Sequence, residues 1–140
     1  MSEQDNVALV SSIYEAFGRG DIPAILNCLD PEAELVFEGP ASIPWAGHRR
    51  GRDGWLWFFQ AVGQSLDGVT FSETMKPFAA QDDRVVFAGR YAARVKATGA
   101  RIDSPLVHLW TVRNGKVVRC LELSNTALEA SACATGVAAV

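Results

Sequence analysis

Three runs of β-type sequence, residues 69–78, 84–96 and 101–113, follow one another almost without interruption, and a fourth runs over 116–125. The breaks between them are Gln81-Asp82-Asp83, Thr98-Gly99 and Asn114-Gly115, each short and of the composition that turns a hairpin. Segments of this length joined this way are predicted to form an antiparallel sheet. Long strands twist and curl, so such a sheet needs something to fill its hollow.

The first half of the chain supplies it. Val10, Ile13, Tyr14 and Phe17 recur at helical spacing, and Gly18-Arg19-Gly20 ends that helix. Asp21 caps a second short helix with Pro23 in its first turn, and Asp30-Pro31 closes it. Residues 33–38 read as a strand and 39–51 as a loop carrying Gly and Pro, of a length often tied to function. A third helix over 52–66 places Trp55, Phe58, Phe59, Val62 and Leu66 on one face. Helices first and antiparallel strands after make an α+β fold. The chain of 140 residues is expected to be one domain, with its core over about 5–127 and an alanine-rich tail over 128–140 whose end is poorly ordered.

Composition narrows the functions. With 49% hydrophobic and 21% charged residues the chain is globular rather than disordered. A net charge of -3 argues against nucleic acid or an anionic membrane as partner. Apolar runs fall short of the roughly 18 residues of a membrane span, and the polar, acidic start is unlike a signal peptide. Cys28, Cys120 and Cys133 are odd in number and widely spaced, so they read as free thiols, and the expected compartment is the cytoplasm.

Y-E-A-F-G-R-G-D-I from Tyr14 to Ile22, G-R-D-G-W-L-W-F-F from residue 51, and D-S-P-L-V-H-L-W-T-V-R-N-G-K-V-V-R from Asp103 resemble the nuclear transport factor 2-like superfamily, in its SnoaL-like and ketosteroid-isomerase-like branch. The resemblance implies a cone-shaped, curved antiparallel sheet wrapped around three N-terminal helices, an internal pocket for a small hydrophobic molecule, and a homodimer through the sheet. It implies no cofactor; two histidines, His48 and His108, at uninformative spacing from Glu38 and Glu122 do not make a metal site. The isomerase chemistry uses an Asp base, an oxyanion Tyr supported by a second Tyr on the third helix, and a protonated Asp as the other oxyanion donor, kept neutral by its apolar surroundings. The matching positions here are Phe37, Ile13, Phe59 and Val107, all apolar, so that chemistry is not retained; a one-residue shift brings Tyr14 or Glu38 into play.

SnoaL-like cyclases instead use an acidic residue on the last strand with a His on the strand before it. His108 and Glu122 match those places. Making a C–C bond beside a carbonyl needs a base for an acidic proton and a donor for the carbonyl, and burial among aromatic rings raises the pKa of a carboxyl. A three-residue bulged turn at Arg113-Asn114-Gly115 sets position 108 opposite 120, with 108 and 122 on one face; a two-residue turn sets 108 opposite 121 and turns Glu122 away. Glu122 pairing outside with Arg119, Arg90 or Arg94, and His108 as a structural histidine, stay open. Other pocket candidates are Phe17, Trp45 as lid or loop anchor, Tyr91, Trp110 and Asn125. Arg90, Arg94, Tyr91 and Asn125 also suggest epoxide hydrolysis as a lower alternative, and a binding or dimerisation module without catalysis is another.

Overall fold

The computed structural model describes residues 2–73 and 78–134. Helix α1 (Glu3–Gly18) starts in a capping box between Ser2 and Asp5, and α2 (Ile22–Asn27) is capped by Asp21, whose carboxylate accepts the Ala24 N–H. Strand β1 (Leu29–Phe37) and the short β2 (Gly47–Arg50) precede α3 (Gly51–Ser65). The remaining strands are β3 (Leu66–Glu73), β4 (Ala79–Gln81), β5 (Arg84–Val95), β6 (Arg101–Arg113) and β7 (Lys116–Ser124). A last helix, α4, covers Thr126–Ala134.

The strands form one curved, open sheet in the order β2-β1-β7-β6-β5-β3, with β4 beside β5. Helices α1 and α3 lie against its concave face, and the α+β architecture is the expected one. One pairing departs from it: β1 runs parallel to β7, with Phe37 beside Glu122 and Leu35 beside Cys120, so the sheet is mixed rather than purely antiparallel. Inward residues alternate along β6, where Ile102, Ser104, Leu106, His108, Trp110 and Val112 are all buried.

Other differences have local causes. β1 starts four residues before the expected 33 and carries Pro31 at a register shift, a place where a strand tolerates proline. β2 lies inside the expected loop; Gly-His-Arg-Arg is too short and polar to show strand periodicity, and β1 is its one strand partner among the described residues. The expected strand over 69–78 begins at Leu66, and its stretch 74–77 lies outside the described residues. The expected tail is not one over 126–134: the Asn125 carboxamide oxygen accepts the Leu128 N–H and starts α4, and Ala132 is buried. The tail's end, 135–140, lies outside the described residues.

Candidate active site

The hairpin that joins β6 to β7 decides which side chains enter the concavity. Asn114 and Gly115 have φ of 52° and 74°, the left-handed pair of a tight two-residue turn, and Arg113 pairs with Lys116 across it. The three-residue turn expected from the sequence is therefore not formed. Regular pairing from a two-residue turn would put His108 opposite Leu121. Instead Val112 pairs with Val117 and Thr111 with Arg119, leaving Val118 as an extra residue in β7. This bulge moves every later partner by one, so His108 faces Glu122, not residue 120 or 121.

Both side chains then point inward. His108 is 6% exposed, and its Nε2 lies 2.9 Å from Glu122 Oε1. On the other side of the ring, Nδ1 lies 2.5 Å from the Tyr14 hydroxyl of α1. The Trp110 indole N–H donates to the same hydroxyl oxygen at 3.0 Å. Tyr14 follows Val10 by four residues and so shares the inward helical face; its ring stacks on Phe87 at 4.8 Å and meets the edge of Trp110 at 5.9 Å. Donation from the Tyr14 O–H to Nδ1 goes with the tautomer that carries its proton on Nε2, which then donates to Glu122. The polar chain therefore runs Trp110, Tyr14, His108, Glu122. The second carboxylate oxygen of Glu122, Oε2, accepts no hydrogen bond among the described residues.

The residues of this chain border a cavity of about 80 Å³ between α1, α3 and the sheet, whose wall is almost wholly apolar. That is room for several waters or an apolar group, since one water needs roughly 10–15 Å³ on such a measure. His108, Glu122, Ile13, Phe17 and Phe59 line it, as do Tyr91, Trp110 and Trp45. Trp45, 2% exposed, reaches the wall from the loop between β1 and β2 and is a packed anchor of that loop.

Three candidates lie elsewhere. Phe37 is fully buried but is not on the cavity wall; its ring packs 6.4 Å from Trp45. Val107 pairs with Leu123 and alternates with His108, so it belongs to the outer sheet face. Asn125 is exposed and serves the start of α4, while its N–H donates to Ser104 Oγ. The groups considered for epoxide chemistry do not converge either: Arg90 binds Asp103 at 3.0 Å among exposed side chains, and Arg94 donates to the Gly99 carbonyl. Glu38 is exposed.

A second polar cluster escapes sequence reasoning. Glu129 of α4 is fully buried, accepting from the Tyr91 hydroxyl at Oε2 and from Ser124 Oγ at Oε1, 2.6 Å away. Burial, and to a smaller degree the nearby Glu122, push its carboxyl above the usual range, while the two hydrogen bonds pull the other way. Burial, and then Glu129, push the Tyr91 phenol up as well. The available signal for Glu129 was an Asn-Thr helix start ahead of Ala-Leu-Glu-Ala, obscured by the small side chains around it.

The pattern of the SnoaL-like domain matches residues 10–120. An uncharacterized protein of Mycobacterium tuberculosis, Rv0034, is 28% identical over 122 residues, 87% of this chain and 90% of that protein. The crystal structure of an NTF2-like protein from Burkholderia xenovorans superposes with a TM-score of 0.85 at 31% identity, covering 95% of this chain and 98% of that one. The structure of TerC co-crystallised with polyporic acid superposes at 0.81 with 26% identity, covering 92% and 98%.

Proposed function

Given that the chain belongs to the SnoaL-like domain family, we propose that it is a cofactor-free acid/base enzyme acting on a small hydrophobic carbonyl compound of polyketide-like character. The observation that carries this reading is the hydrogen-bonded series Trp110–Tyr14–His108–Glu122, whose residues border an otherwise apolar cavity.

In this reading Glu122 takes a proton from the carbon beside the substrate carbonyl. The C–H bond breaks, the proton goes to the carboxylate, and the electron pair passes into the enolate. The enolate then either regains a proton from Glu122 at another carbon, or closes on a second carbonyl within the same molecule, whose oxygen takes the proton. His108 steadies the carboxylate while it is charged, and Tyr14 and Trp110 fix the imidazole's orientation and tautomer. The apolar walls exclude water from the enolate. The similarity to TerC supports a small-molecule occupant.

Proton–deuterium exchange at C2 of α-tetralone in D2O, followed by NMR, tests the reading. Exchange accelerated by the wild type and abolished in Glu122→Gln is the expected result. The nearly all-apolar lining favours a second reading, a module that only holds its ligand; binding of tetralone without accelerated exchange would establish that one instead. We further propose a homodimer through the outer sheet face, where Val107, Leu109, Leu121 and the 50% exposed Leu123 lie together on β6 and β7.

A further inference from the structure

We propose that Phe17, Phe59 and Phe71 form the entrance of the cavity, closed by ring-to-ring contact, and that the parting of these rings sets the size of ligand the protein admits. The inference rests on the reading of the cavity as a ligand site and adds to it a route of entry, past the end of α1 and the edge strand β3 toward His108 and Glu122. The ligands so selected are compact apolar ketones, and a fused two-ring compound enters only when the rings move aside.

The wall is uneven in depth. Its inner part, formed by Ile25, Leu35, Trp45, Trp55, Leu106 and Trp110, is at most 4% exposed. Phe17 in the last turn of α1, Phe59 and Val62 of α3, and Val69 and Phe71 of β3 line the same cavity and are only partly buried. They lie together: the Phe17 ring is 6.1 Å from Phe59 and 5.4 Å from Phe71, which are contact distances for aromatic rings. Outside them is open space. A methyl group added at Gly18, Gly63 or Gly68, the neighbours of Phe17, Val62 and Val69, would meet no atom within 4 Å beyond its own stretch of chain. The Phe71 ring is also 6.2 Å from the His108 ring, so the entrance leads to the polar series.

This is also the part of the wall able to yield. A cavity of about 80 Å³ falls short of the roughly 150 Å³ in which an apolar cavity holds benzene, so a ring compound needs more room than the closed form gives. The inner wall cannot supply it without breaking hydrogen bonds: the Trp55 indole N–H donates to the Ala33 carbonyl at 3.2 Å, and that of Trp110 to the Tyr14 hydroxyl. The phenyl rings carry no such tether and move by rotation about their side-chain bonds. β3 is an edge strand whose one strand partner among the described residues is β5, and it carries an extra residue between Asp67 and Thr70, with Gly68 at a φ of 64°. A bulge in an edge strand gives the backbone beside Val69 a place to bend.

α-Tetralone, with two fused rings, and cyclohexanone, with one, are the probes. Calorimetry gives their affinities and NMR line shapes their dissociation rates for the wild type, Phe17→Ala, Phe17→Trp and Ile25→Ala, and the two together give the association rates. In the expected result Phe17→Ala raises the association rate of tetralone about tenfold, Phe17→Trp lowers it about tenfold, and cyclohexanone follows by a smaller factor. Ile25→Ala removes volume from the inner wall and leaves the association rate of tetralone unchanged. A merely structural Phe17 would loosen the fold when changed either way, so both substitutions would speed exchange, which overturns the proposal. An association rate raised as much by Ile25→Ala as by Phe17→Ala overturns it too. Where Phe17→Ala fails to fold, Phe71→Leu trims the entrance from the side of β3 and should raise the tetralone rate in the same direction. Binding of both ketones at rates that the Phe17 and Phe71 variants leave unaltered overturns this inference alone; failure of both ketones to bind the wild type overturns the cavity reading with it.

Discussion

The hydroxyl of Tyr14 lies 2.5 Å from Nδ1 of His108, joining the first helix to a strand 94 residues later. This contact makes the orientation of the histidine a property of the whole fold, because it exists only when the sheet has curled around α1. The same hydroxyl accepts the Trp110 N–H, so one oxygen settles two buried ring groups.

Tyr14→Phe keeps the ring packing against Phe87 and removes the oxygen. It leaves the Trp110 N–H and His108 Nδ1 without this partner, which should cost about 1–3 kcal/mol of folding stability. Urea unfolding of the variant should show a lower midpoint with an unchanged slope, because the surface exposed on unfolding stays the same. A midpoint equal to that of the wild type would mean that the hydroxyl carries no weight in the structure.

Glu129 should give stability a distinctive pH dependence. Its carboxyl is raised by burial above the ordinary 4.5, so between that pH and its folded value the unfolded chain releases a proton that the folded chain keeps. Unfolding is then favoured as pH rises, by at most about 1.4 kcal/mol per pH unit from this group, and the loss levels off above the folded pKa. Glu129→Gln should flatten this stretch of the curve. Denaturant midpoints taken at several pH values for both proteins check it; parallel curves would place the carboxyl in contact with water.

The contrast between Glu122 and Glu129 shows what the sequence reveals and what it hides. The four long strands are legible because turn residues separate them, and the helices because their apolar faces repeat at helical spacing. The meeting of His108 with Glu122 follows from the residue pattern only if the register is known, and the register depends on Val118. In Val117-Val118 either residue suits a regular strand, so the bulge leaves no compositional trace. The expected three-residue turn and the observed two-residue turn with its bulge bring Glu122 to the same face by different routes. Tyr14 reads as a member of an apolar stripe that comes into play only through a one-residue shift of the isomerase match, since its partner lies on the far half of the chain. Glu129 sits among alanines and serines, and its burial arises from the return of α4 over the sheet.

Cys120 is on the cavity wall, opposite Trp110 and 2% exposed, and burial pushes its thiol well above the usual range. The thiolate is the reactive form, so alkylation of Cys120 requires opening of the sheet. Iodoacetamide at about pH 8, followed by peptide mass analysis, should label the half-buried Cys28 well before Cys120. Labelling of Cys120 should accelerate in urea together with unfolding. Equal rates for the two cysteines in native buffer would reveal an entrance to the cavity beside β7.

The outer sheet face offers the last test. Leu123 pairs with Val107, and Leu121 with Leu109, so four apolar side chains occupy adjacent places on β6 and β7, with Leu123 half in water. If two copies meet there, a charge at Leu123 must be buried unpaired in the dimer, which costs several kcal/mol, while in a monomer it stays solvated. Leu123→Glu should therefore shift sedimentation from dimer to monomer at micromolar concentration without lowering the urea midpoint of the monomer. The cavity lies on the opposite face, so the dissociated variant should still bind α-tetralone. A wild type that sediments as a monomer at the same concentration would remove the dimer and leave this strip as ordinary exposed surface.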